Sequence, residues 1–222
     1  MAYRRQASPP PLLTGDDLTR SLAGIGMAFA AAPSPDPNVE DTLLAASVEG
    51  MERDDLRVLA VLLQWLEVYQ AWIHADRLIR AVSAAESPRV KAFWAAIGRW
   101  LGKDRRFARL QKVYRGPRLD LLRQGTAFQV RRRGEDPRFE GTPLRVPAGI
   151  LRQRASDVHA PEDLVKRQPW LRFRILMGPS YRADMWAALT REPALTAAEL
   201  ARRTYGSFAT AWGVKKDFGL LG

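Results

Sequence analysis

Toward the C-terminal end of this sequence, two hydroxyls and two lysines are spaced as a single short helix would need them. Ser207 is of the type that caps a helix, Thr210 follows one turn later, and Lys215 and Lys216 come further along. Hydroxyls near a helix N-terminus can bond base edges and phosphates, while lysines neutralise phosphates without regard to sequence. Arg202 and Arg203 stand just before the turn, where two guanidiniums would flank a groove and clamp its backbone. A second constellation, Arg131-Arg132-Arg133, sits in a Gly/Pro-rich stretch and has the character of an electrostatic arm that tracks phosphates or enters a narrow minor groove. Both sets are suited to holding a polyanion, and neither resembles a bond-making centre.

Composition supports the same division. The 222 residues contain no Cys and only His74 and His159, which removes disulfides, thiolate zinc sites and Cys nucleophiles and leaves little for a histidine metal site. No catalytic residues, metal site or cofactor are expected. Glu40-Asp41, Asp54-Asp55 and Glu162-Asp163 are adjacent carboxylates near helix starts, where compensation of the helix dipole accounts for them. Gly24-x-Gly26 lacks a third glycine and a preceding strand, so no dinucleotide fold is supported. Lys and Arg number 35 against 24 Asp and Glu, a net charge of +11. The excess is local: residues 99–154 carry 16 basic and 5 acidic side chains, whereas residues 1–98 are slightly acidic. A polyanionic partner is therefore expected before a small substrate.

The elements that must position these groups are mostly helical. Residues 39–47 begin with acidic side chains suited to a first turn, and 53–84 carry apolar residues at 3–4 spacing, with a break expected near His74. Pro88 suits a first helical position, and Val90, Phe93, Trp94, Ile97 and Leu101 form the next apolar stripe. Trp65, Trp72, Trp94 and Trp100 fall on such stripes as core or dimer-interface candidates. Between 116 and 160, Gly and Pro become frequent, and the alternating runs 127–131 and 143–146 predict a small hairpin. Helical pattern resumes at Pro161 and breaks at Gly178-Pro179. No membrane-spanning run is present; Ser21–Ala32 follows Asp16, Asp17 and a Pro run, and reads as a short amphipathic helix before a Pro-rich linker rather than as a secretory leader.

Ser180 caps a helix with Met185, Trp186 and Leu189 inward, Thr196 and Glu199 form a capping box for a second, and Ser207 opens a third with Phe208, Ala211, Val214 and Phe218 inward. Helix, helix, tight turn, helix is the arrangement that lays its last element in a major groove. The segment LTAAELARRTYGSFATAWGVKKDF resembles the helix-turn-helix core of winged-helix transcriptional regulators of the ArsR and MarR sort, over residues 180–222. Ala211 and Lys215 replace the usual larger aliphatics, and the pattern stops at Phe218-Gly219-Leu220-Leu221-Gly222, where a wing would begin. Gly206-Ser207-Phe208-Ala209 also resembles the loop of minimal nucleotidyltransferases, but Asp217 alone cannot hold two metals.

The expected fold is mainly α: an N-terminal helical bundle, a short irregular or β connector, and a C-terminal helix-turn-helix. The expected organisation is a flexible segment over 1–38, a bundle over 39–115, a basic connector over 116–160, and a DNA-binding unit over 161–222. The resemblance implies a cytoplasmic, sequence-specific DNA-binding protein, dimeric through its bundle, acting as a transcriptional regulator or autoregulating antitoxin. The alternatives are an antitoxin or adaptor that binds a toxin or other protein through its helical face, and a subunit that grips nucleic acid without sequence preference.

Overall fold

In the computed structural model, which describes residues 12–221, eleven α-helices account for most of the chain, and the fold is mainly α. The first helix, α1 (Gly15–Gly24), buries Leu18 and Leu22. The chain after it is held by indole donors: Trp170 Nε1 bonds the carbonyl of Gly24 at 3.2 Å and Trp65 Nε1 that of Ile25 at 2.8 Å. Residues 18–27 thus supply core, although 1–38 had the composition of a flexible segment.

The bundle consists of α2 (Val39–Glu52), α3 (Leu56–Tyr69), α4 (Ala75–Ala84) and α5 (Pro88–Trp100). Each start obeys a local rule. Asn38, Asp55 and Ser87 accept the amides of Asp41, Val58 and Val90, and Pro88 occupies the first turn of α5. Between α3 and α4 the chain tightens into a 3-10 turn and breaks at Ile73-His74, as the periodicity predicted. Trp65 and Trp94 are fully buried, and Trp94 Nε1 donates to Ser47 Oγ at 2.8 Å. Across the α2–α3 crossing, a Cβ on Gly50 would lie 2.2 Å from the Leu59 side chain, so these helices meet where only glycine fits.

Residues 116–160 pack onto this same core through Leu121, Phe139, Leu144, Val146, Leu151 and Val158. The expected hairpin does not form. Thr126–Arg133 is a helix, α6, and Leu144–Arg145 (β2) pairs in parallel with Leu119–Asp120 (β1). The alternation over 127–131 spans only five residues, and Ala, Phe, Gln and Arg pack as readily on a helix. Thr126 Oγ1 bonds back to Leu122, and Gly125 and Gly134, both at φ +80°, bound the helix. The strand pair is reinforced by Arg145, whose Nε and Nη2 reach Asp120 at 2.7 and 3.0 Å.

Helices α7 (Pro161–Arg167) and α8 (Pro169–Met177) return along the bundle, Gly178 at φ +78° ends α8, and α9 (Tyr181–Arg191), α10 (Ala197–Thr204) and α11 (Phe208–Phe218) follow. The last three enclose a small core of their own: Met185, Trp186, Leu189, Leu195, Leu200, Ala211 and Val214. Among the described residues, no helix is long and apolar enough to cross a membrane.

Candidate nucleic-acid interface

The α9–α11 unit is assembled from three capped starts. Ser180 accepts the amide of Ala183. Thr196 and Glu199 complete the reciprocal capping box, and Ser207 Oγ accepts the amide of Thr210 at 3.0 Å. The turn between α10 and α11 places Tyr205, not a glycine, in the left-handed region at φ +57°. That strain is compensated by two contacts: the Tyr205 hydroxyl donates to Asp41 at 2.9 Å, and its ring lies 4.2 Å beneath the Arg77 guanidinium. A Cβ at Gly206 would meet the terminal methyl of Met185, which would have to shift.

The side chains singled out by sequence divide sharply. Ser207 and Thr210 are exposed at the start of α11, with their hydroxyls 2.8 Å apart. Lys216 is exposed, its Nζ 5.9 Å above the Trp212 ring, and Arg202 is exposed at the end of α10. Lys215, expected on the outer side, is half-buried and donates to the carbonyl of Leu195, binding α11 to the loop before α10. Arg203, expected to flank a groove with Arg202, pairs with Glu192 at 2.7 Å and faces Asp36 at 3.9 Å. Arg131, Arg132 and Arg133 form the exposed last turn of α6, and no hydrogen bond or salt bridge joins them to α9–α11 among the described residues. Two of their three acidic neighbours are engaged elsewhere, Glu135 with Arg118 and Asp136 with Arg138 at 2.5 Å, while Glu140 is exposed.

One inward assignment is corrected. Phe208 is 60% exposed, as is Trp212 at 58%. The core face of α11 is set by Ala211 and Val214, and at 3.6 residues per turn Phe208 lies nearer in azimuth to Trp212 than to either of them. The spacing of four to Trp212, which reads as outward, was the signal available.

All four carboxylates of this unit are occupied. Asp184 is held by Arg174 at 2.8 Å, Glu192 by Arg203, Glu199 by the amide of Thr196 at 2.8 Å, and Asp217 by Arg182 at 2.7 Å. Arg202 and Lys216 have no such partner among the described residues, so the outer side of α10–α11 offers hydroxyl donors, cations and two aromatic rings.

Behind the unit lies an ion network that the sequence reading missed. Glu40, read as a dipole-compensating residue of α2, is wholly buried and receives both terminal nitrogens of Arg174 at 2.7 and 3.0 Å and the amide of His74 at 2.8 Å. Arg174 also grips Asp184 through two bonds and the carbonyl of Trp72, and Arg77 bonds Asp41 at 3.1 Å. Burial alone would raise the Glu40 carboxyl, but Arg174 and Arg77 outweigh it and hold the group at about 2. Burial lowers His74, whose Nδ1 has no partner. The network fastens α9 and the α10–α11 turn to the bundle. A cleft of about 280 Å³ beside it is lined by Asp36, Asn38, Trp170, Arg174 and Arg203.

The chain matches no protein-family model, and no curated protein or solved structure is detectably similar to it.

Proposed function

We propose that this chain binds duplex DNA in a sequence-selective way, with α11 entering the major groove and α6 supplying a separate grip on the phosphate backbone. The observation that carries the reading is the polar surface of α10–α11, whose carboxylates each have a partner within the unit and whose Arg202 and Lys216 have none among the described residues. Ser207 and Thr210 face solvent at the capped start of α11, Arg202 at the end of α10 and Lys216 in the last turn of α11. The three arginines of α6 add sequence-independent attraction of the kind that salt weakens. One such helix reads few base pairs, so the working form is a homodimer on a palindromic site, joined through the helical bundle. The reading is that of a cytoplasmic transcriptional regulator or autoregulating antitoxin.

Selection of the full chain against a randomised duplex pool, followed by anisotropy titrations, tests it. Thr210→Ala should change which bases are preferred, whereas Lys216→Ala should weaken all duplexes alike and reduce the salt slope by about one unit. Unaltered binding in both variants would remove α11 from the interface.

A second reading rests on a different surface. Ile175, Leu176 and Met177, at the end of α8, are exposed together and suit a protein contact, either a toxin or another partner. Co-purification of one stoichiometric protein that Leu176→Asp releases, with no duplex enriched, would favour it.

A further inference from the structure

We propose that α11 reads the 5-methyl groups of thymine through Phe208 and Trp212, so that the preferred duplex presents thymines at the positions this helix contacts. The inference rests on the DNA-binding reading and names what that interface recognises. It begins with what the outer face of α11 lacks. No Arg, Asn or Gln occurs between 208 and 218, so the helix has no bidentate partner for adenine, and contact with guanine could come only from lysine. The only acid in the helix, Asp217, is held by Arg182, and Lys215 is spent on the Leu195 carbonyl. What remains outward is Thr210, Phe208 and Trp212, the two rings one turn apart and 60% and 58% exposed, Ala209 between them in sequence, and Lys216 one turn further on. Of the features displayed by the four base pairs in the major groove, the thymine methyl is the one that an apolar side chain distinguishes.

Gly213 adds an independent observation. It lies inside the helix, where glycine is the poorest residue after proline, yet a Cβ there would meet nothing within 4 Å, so no internal contact requires it. A bare backbone beside Trp212 is what close approach to an external surface would use. Lys216, with its ammonium above the Trp212 ring, is placed to reach the flanking phosphate while the ring turns toward the bases.

A second copy of the chain is a poorer occupant. In a two-fold contact the same face meets itself, which would bring Lys216 and Arg202 of one copy toward those of the other. The carboxylates of the unit are already partnered, Asp184, Glu192 and Asp217 with arginines and Glu199 with its own cap.

The test uses the full chain and the duplex enriched from the randomised pool, prepared once with thymine and once with uracil at every thymine position. Uracil keeps the hydrogen-bonding edge and removes only the methyl. The unsubstituted chain should lose about fourfold in affinity for each contacted methyl removed. Trp212→Ser and Phe208→Ser, both at exposed positions that the fold does not need, should bind the thymine duplex more weakly and discriminate less. Equal affinity for thymine and uracil duplexes, with one sequence still enriched, overturns this inference and leaves DNA binding standing. Failure to enrich any duplex overturns both. Conversion of a dimer to a monomer by Trp212→Ser, seen by light scattering with an unchanged thymine-to-uracil ratio, assigns the face to a second copy and likewise overturns it.

Discussion

At residue scale the most constrained group is Glu40, a carboxylate without solvent whose oxygens are filled by Arg174 and the His74 amide. Removing one member of such a cluster leaves the others charged and buried. Glu40→Gln should therefore cost about 3–5 kcal/mol in a urea titration, far more than an exposed pair such as Lys166–Asp163. A loss below about 1 kcal/mol would mean that the network is not closed. The same carboxyl gives a pH signature. Its folded value of about 2 lies below the ordinary 4.5, so the stability it contributes is complete above about pH 4.5 and is lost as pH falls toward 2. Glu40→Gln should remove that part of the acid limb, measured as the midpoint of unfolding against pH. None of this was legible in sequence. Adjacent acids at the start of a helix are what dipole compensation also produces, and the partner guanidinium is 134 positions away.

At the scale of elements, α3, expected from 53, starts at Leu56 behind the Asp55 cap, whereas the starts of α9, α10 and α11 were readable from their capping residues and those of α2 and α5 from an acidic first turn and Pro88. The helix α6 was not, because five alternating residues do not separate a period of 2 from 3.6 when nothing is buried to choose between them; Thr126 is its only buried side chain. Its exposed face joins Phe128, 57% accessible, with Arg131 and Arg132, at spacings of three and four. Changing Arg131, Arg132 and Arg133 together to Ala should lower affinity for any duplex about tenfold or more at low salt and much less at high salt. Because these side chains touch no core, melting temperature should hardly move. Full affinity in the triple variant at every salt concentration would assign α6 to another partner. Within α11 the core face was legible from Ala211 and Val214, whereas the loss of Lys215 to the Leu195 carbonyl was not, since that bond depends on how the loop before α10 closes.

At the scale of the whole molecule, the mainly α class followed from apolar periodicity. The join between the C-terminal unit and the bundle did not, being made by Glu40, Arg77, Arg174, Asp184 and Tyr205 from five separate stretches of chain. That join holds α11 rigidly relative to the bundle, which a dimer reading two half-sites would require. Tyr205→Phe, which deletes only the bond to Asp41, should cost about 1.5–3 kcal/mol of stability. The central claim, sequence-selective duplex binding through α11, is tested most directly by the affinity ratio between the duplex enriched from a random pool and a scrambled duplex of equal length, measured at about 0.15 M salt. The account predicts a ratio of at least about 10³ that Thr210→Ala reduces; equal affinity for the two duplexes in the unsubstituted chain would contradict it.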